Sequence, residues 1–343
     1  MRIAELVGVR DFRLSEQSVR EPVAGELRVR VTSIGICGSD VHYYSEGAIG
    51  DTPCVYPMVL GHEPAGVVDK VGPGVSGWSA GDQAALEPAL YCYHCEYCLS
   101  GRHNLCANLH FLSTPEEPGF FRDFVYLPAH NLLRLPSNVS LREGTLAEPL
   151  AVVLHSLKFA ALRPGETAVV FGAGPIGLLT MASLKLAGAR RIWAVEPLEH
   201  RRDLATAIGA DAAIDPGAVD PVKEVLADSG RGGADVSFDC AAKDESMNQC
   251  IRATRNGGRF VVTGIPSSTR VALEFHVLRR KELSLFNVRR SNHDTGEAVR
   301  LLGEHPAIFG PVVTHTRPLD SVQAAFDLVE HYRDGVGKLV LEP

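Results

Sequence analysis

The sequence predicts an α/β fold of two domains, a doubly wound parallel sheet in the middle of the chain and an irregular antiparallel, barrel-like β domain built from both ends. Three observations carry this expectation. Near the start, Glu26-Leu27-Arg28-Val29-Arg30-Val31 alternates polar and apolar residues, the period of half-buried strands. In the middle, short apolar runs at Thr167 to Phe171, Ile192 to Val195, Ala212 to Ile214, Asp235 to Phe238, Arg259 to Thr263 and Leu283 to Asn287 alternate with helical stretches such as Pro175 to Ala187. Strands that alternate with helices in this way imply parallel pairing. At the end, Lys338-Leu339-Val340-Leu341 reads as a strand that returns to the first domain. The expected boundaries are residues 1–149 and 291–343 for the β domain and 150–290 for the parallel-sheet domain.

The chain of 343 residues is long enough for two buried cores. Its 45% hydrophobic and 22% charged residues are ordinary for a globular protein. A net charge of -7 gives no electrostatic reason to expect nucleic acid or an anionic membrane as partner. No apolar run reaches spanning length, and Met1-Arg2-Ile3-Ala4-Glu5-Leu6 lacks a secretory leader, so the expected location is the cytoplasm.

Of the eight cysteines, four fall at Cys92-x2-Cys95-x2-Cys98-x7-Cys106, within a lobe of about residues 91–108 that has few core-forming side chains. Four thiolates at this spacing suit a closed tetrahedral zinc site, which would fold a lobe with little core of its own. Unliganded thiols so dense would be an oxidation liability. Such a site is structural. His94 is read as a bystander, because four cysteines already fill the shell. Cys54, Cys240 and Cys250 are expected to be bystanders too, and His155 a core histidine.

A second set of donors is more scattered. Gly61-His62-Glu63-Pro64-Ala65-Gly66 places an imidazole beside a carboxylate in a glycine-bracketed turn, Cys37 lies 25 positions upstream, and Glu148 offers a further carboxylate. Zinc takes mixed sulfur, nitrogen and oxygen ligands, so these groups could close on one ion. The pair is not the metalloprotease helix, which needs a second His where Gly66 stands.

Gly172-Ala173-Gly174-Pro175-Ile176-Gly177 follows a predicted strand and opens a predicted helix. In that context the first glycine makes the turn, the second lets a pyrophosphate approach and the third allows close helix packing. The helix N-terminus supplies unpaired N–H groups for the anion. Glu196, 19 residues after Gly177, stands at the tip of the second strand, where a carboxylate accepts ribose hydroxyls and repels a 2′-phosphate. NAD is therefore favoured over NADP, although Arg201 and Arg202 are close enough in sequence to neutralise a phosphate. The two halves complement each other. Zinc is a Lewis acid without redox chemistry, and a dinucleotide accepts hydride.

Together these motifs resemble the zinc-dependent medium-chain dehydrogenases over essentially the whole chain. Gly61-His62-Glu63-x2-Gly66-x5-Gly72-x2-Val75, the cysteine lobe and Gly172 to Gly177 are the specific matches. Within that family the chain looks most like the sorbitol (polyol) dehydrogenases, through Cys37-Gly38-Ser39-Asp40-Val41-His42-Tyr43, Ser113-Thr114-Pro115, Gly119-Phe120-Phe121-Arg122 and Glu148-Pro149-Leu150. The resemblance implies a GroES-like catalytic domain and an NAD-binding Rossmann domain. It implies that Cys37, His62 and Glu63 surround a catalytic zinc, with Glu148 as ligand or partner of the bound water and Asp40 orienting His62. It further implies that Tyr43, Phe111, Glu148, Arg289 and Arg290 face the substrate. Gly172, Gly174, Pro175, Ile176, Gly177, Glu196, Arg201, Thr263, Gly264, Ile265, Asn287, Val288 and Arg289 would hold the cofactor. Ser39 and His42 would carry the proton outward. Arg290 stands where those enzymes usually have an aromatic residue, which favours a longer or acidic sugar derivative. The implied partner is a small polyol and the implied assembly a homodimer or homotetramer. Threonine dehydrogenase-like or butanediol dehydrogenase-like oxidation is the nearest alternative; a zinc hydrolase and a non-enzymatic dinucleotide sensor are the more distant ones.

Overall fold

The computed structural model describes all 343 residues. It divides into two compact units, Met1–Glu148 with Asn292–Pro343, and Pro149–Ser291.

The first unit is organised by a seven-stranded sheet in the order Leu132–Arg134, Gln83–Leu86, Glu63–Val71, Glu26–Gly35, Lys338–Glu342 and Val313–Pro318, with Phe124–Pro128 also paired to Glu26–Gly35. All pairings are antiparallel except that of the last two strands. The alternation in Glu26–Gly35 is used as the period demands: Leu27, Val29 and Val31 are buried while Arg28 and Arg30 are not. Phe12, Tyr44, Phe121 and Phe326 meet in the core, with ring centroids 4.9 to 6.5 Å apart.

Register matters more than content here. Gly35 pairs with Glu63, so the chain just beyond Gly35 and the chain just before Glu63 emerge side by side. Val340 pairs with Gly35 from the other flank, which brings Lys338 to the same end. The stretch after Cys37, in which His42 could be a loop residue, is a helix, Gly38–Glu46. Its apolar pattern is weak. What starts it is a cap, in which the Cys37 N–H donates to Asp40 Oδ2 at 3.1 Å.

The second unit is a six-stranded, wholly parallel sheet in the order Ala212–Ile214, Arg191–Val195, Thr167–Phe171, Ala234–Asp239, Thr254–Val262 and Ser284–Asn287. Numbered along the chain this is the doubly wound order 3-2-1-4-5-6. The strands read as continuous apolar runs because helices cover both faces. Val169, Phe171, Trp193 and Phe260 are fully buried. No helix is long and apolar enough to cross a membrane.

Candidate active site

Cys37, His62 and Glu63 each offer a donor atom, and the three lie within 4.8 Å of one another. The turn that presents them requires glycine: Gly61 has φ +91°, and a Cβ there would lie 2.6 Å from the Phe121 ring. Asp40, 1% exposed, ties this corner together. Besides the Cys37 N–H, its carboxylate accepts from the Gly61 N–H at 3.2 Å and the Ser113 hydroxyl at 3.1 Å, and it lies 3.3 Å from His62 Nδ1. The imidazole is thereby oriented with Nδ1 toward the carboxylate, leaving Nε2 for a metal. Burial opposes charge on His62, but Asp40 and the Cys37 thiol outweigh it and push its pKa well above the usual range. Burial likewise works against the Asp40 carboxylate, which His62 and the two N–H donors nevertheless hold below its usual value.

Glu63 is 1% exposed and ion-paired to Lys338, itself 2% exposed. The Lys338 ammonium also donates to the Ile36 carbonyl at 3.0 Å, so one cation bridges the two donor-bearing segments. Sequence reasoning missed Lys338 and Ser113 as members of the site. Glu148 is not one of the three clustered donors. It opens the helix Ala147–Ala160 and is buried, and burial pushes its carboxyl up to about 8, against the pull of His62 and with the push of Glu63 and Glu87.

The remaining expected residues of this unit divide. The Ser39 hydroxyl is 3.4 Å from His62 Nε2, and the Phe111 ring centroid is 5.6 Å from that of His62. His42 pairs with Glu46 one turn on, at 2.9 Å. Tyr43 is buried in the core of the unit.

The four cysteines of the lobe form the second donor group. Sulfur atoms of Cys92 and Cys106 are 3.4 Å apart, those of Cys92 and Cys98 3.9 Å, and those of Cys95 and Cys106 4.0 Å. A tetrahedral zinc with Zn–S near 2.3 Å requires sulfurs about 3.8 Å apart, and these residues fit it. Backbone N–H groups of Cys92, Cys95 and Cys98 point at sulfurs of the set, as thiolates demand. The His94 N–H, first among several donors, lowers Cys92 to about 5, whereas burial and the neighbouring thiols push Cys98 up to about 12.

In the second unit the glycine turn is closed to side chains at Gly172 and Gly177 and open at Gly174. Gly172 has φ +93°, and a Cβ on Gly177 would lie 1.9 Å from the Gly172 carbonyl oxygen. Gly174, which caps the helix Pro175–Leu186, faces open space; a Cβ there would meet only an Arg201 guanidinium nitrogen, at 3.8 Å. The Glu196 carboxylate, 4% exposed, accepts from the N–H groups of Ala173 at 2.7 Å and Leu198 at 3.1 Å. Arg202 is occupied: it donates to the carbonyls of Glu196 and Pro197 and pairs with Asp215 at 3.5 Å. At the ends of the next strands, the N–H groups of Thr263 and Gly264 both donate to the Asp239 carbonyl, and that of Val288 to the Val262 carbonyl at 3.0 Å. Ile265, Asn287 and Arg289 are exposed and Arg290 half-buried, with φ +54°. His155 is buried, its ring edge-on to Phe159.

A mixed-donor group of Cys37, His62 and Glu63, a four-cysteine lobe and a glycine-turn parallel sheet define a zinc-binding dehydrogenase. Residues 23–137 match the alcohol dehydrogenase GroES-like domain, and residues 175–304 match the zinc-binding dehydrogenase domain. D-xylulose reductase A of Aspergillus niger is 36% identical over 309 residues, 89% of this chain and 86% of that protein. The chain belongs to the zinc-dependent medium-chain alcohol and polyol dehydrogenases. Among solved structures, L-idonate 5-dehydrogenase from Escherichia coli superposes with a TM-score of 0.92 at 28% identity, covering 100% of this chain and 98% of its own. A Sinorhizobium meliloti protein described as a zinc-binding dehydrogenase, bound to NADP, superposes with a TM-score of 0.90 at 28% identity, covering 100% and 99%.

Proposed function

We propose that the protein oxidises a secondary alcohol of a polyol or sugar derivative to a ketone and passes the hydride to NAD. The observation that carries this reading is the contrast between two donor groups: four thiolates close one site, whereas Cys37, His62 and Glu63 supply only three donors, the number that leaves a catalytic zinc one position for substrate. Zinc held by Cys37, His62 and Glu63 would supply Lewis acidity that eases loss of the alcohol proton, and a dinucleotide held at Gly172 to Gly177 would supply the hydride acceptor. Asp40 keeps His62 in the tautomer that presents Nε2. Ser39, whose hydroxyl lies 3.4 Å from that nitrogen, would take the departing proton, and His42, paired with Glu46, would release it to solvent. Gly174 gives a pyrophosphate room to reach the helix N-terminus, and Glu196 at the strand tip disfavours a 2′-phosphate.

Two adjacent guanidiniums at Arg289 and Arg290 favour a substrate bearing a carboxylate or phosphate, and likeness to L-idonate 5-dehydrogenase supports an acidic polyol. Oxidation of threonine or of butanediol is the competing reading. The test is turnover with NAD and with NADP across four- to six-carbon polyols, their aldonates and phosphates, threonine and butanediol, with zinc measured on the same sample. NAD-linked turnover of a polyol or aldonate is expected. Protein carrying two zincs per chain that oxidises none of these sinks the proposal.

A further inference from the structure

The segment by which the chain re-enters the first unit is clasped to the cysteine lobe. Asn292 accepts from the His103 N–H at 2.9 Å and donates to the Gly101 carbonyl at 2.8 Å, gripping the lobe between its third and fourth cysteines. The His293 ring lies 3.9 Å from that of His103 and 5.4 Å from that of Tyr91, and Thr295 donates to Glu87 at the base of the lobe. On the other side, the Val288 N–H is the last sheet bond of the second unit. Only Arg289, Arg290 and Ser291 lie between the two anchors. Three residues span at most roughly 10 Å, so the place of one anchor limits the conformations open to the connector. Arg290 already sits in the left-handed region, where a residue with a Cβ persists only when its surroundings hold it.

We propose that the four-cysteine lobe is a positioning element for this connector: while zinc holds the lobe folded, Asn292 fixes the chain that carries Arg289 and Arg290, and loss of that zinc weakens dinucleotide binding. The inference rests on the reading of the second unit as the dinucleotide unit. The lobe has few apolar side chains of its own, so without metal its loop loses the geometry that Gly101 and His103 present to Asn292. Both hydrogen bonds then lapse together.

The test uses the full chain carrying Cys37→Ser, so that the lobe holds the single bound zinc. Zinc is released stoichiometrically with a mercurial, while NADH affinity is followed by fluorescence and backbone protection of residues 286–291 by hydrogen exchange. Release is expected to weaken NADH binding roughly five- to tenfold and to expose residues 289–291. With Asn292→Ala added, binding should already be weakened by about that factor before release, and release should change it less than about twofold. Asn292→Asp, which keeps the acceptor for the His103 N–H, should fall between. Unchanged NADH affinity and unchanged protection at 289–291 after the lobe has lost its zinc would overturn the proposal, even if Asn292→Ala failed to fold. Failure to bind NADH with the lobe filled would instead count against the dinucleotide reading, and the exchange measurement would still decide the tether.

Discussion

The donor corner of the first unit and the glycine turn of the second solve opposite problems. The corner is made of side chains: Asp40, His62, Glu63 and Lys338 are all at least nine-tenths buried, and each charge is tolerated because another faces it. The turn is made of backbone: what matters at Gly172, Gly174 and Gly177 is that no side chain is there. The first therefore fails when a charge is changed, the second when a methyl group is added.

The largest effect should come from the turn. Gly177→Ala forces a Cβ to within 1.9 Å of the Gly172 oxygen, so the turn must rebuild; loss of NADH binding by more than about 100-fold and destabilisation of more than about 3 kcal/mol are expected in titration and melting experiments. Gly174→Ala should separate the two effects, losing affinity by occupying the open space while melting as the parent does. Next is Lys338→Met, which strands a buried carboxylate at a cost of about 3–5 kcal/mol in metal-free protein. Saturating zinc should recover part of that loss, because Glu63 gains a cation; equal destabilisation with and without zinc would break the contrast.

Smaller, and confined to the corner, is Asp40→Asn. Removing the carboxylate that orients His62 should lower the affinity of the catalytic zinc about 10–100-fold and leave the lobe zinc in place, as competition with a chelator would read. The smallest effect is expected at Asp235, the carboxylate that accepts from the Thr167 N–H and hydroxyl, at 2.9 Å each, in the sheet behind the turn. Burial opposes its charge, but Arg255 and Thr167 outweigh burial and hold its pKa below the usual value. A depressed carboxylate stabilises the fold fully above its unfolded pKa of about 3.9 and loses that contribution as pH falls through the folded value. Asp235→Asn should thus cost about 1–3 kcal/mol at neutral pH, with the gap to wild type closing in acid. A gap that is constant from pH 7 to pH 3 would contradict this assignment.

The same contrast explains what could be read from the residues. A backbone-built site leaves a local trace: the glycine pattern can be read between an apolar run and an amphipathic one, and the alternation of strands with helices implies the parallel sheet, whereas the strand order comes only from the pairing itself. The cysteine lobe is equally local. A side-chain site assembled across distant segments is not. Nothing in Lys338-Leu339-Val340-Leu341 distinguishes a buried lysine from a solvated strand end; only the pairing of Val340 with Gly35 reveals it. Ser113 and Asn292 were illegible for the same reason, their partners lying 73 and 189 residues away. Glu148 shows the limit from the other side: its residue type and resemblance give it as ligand or partner of the bound water, and the structure adds that it is buried and raised in pKa while the donor atoms that cluster are those of Cys37, His62 and Glu63. The helix after Cys37 hid because a cap, not an apolar stripe, specifies it.

The most direct measurement is zinc content and turnover of wild type beside Cys37→Ser. Two zincs per chain in wild type, one in the variant, and a fall in turnover of more than about 1,000-fold with melting temperature preserved are the expected results. A variant that keeps both zincs, or that keeps its activity with one, would contradict the assignment of Cys37, His62 and Glu63 to the catalytic metal.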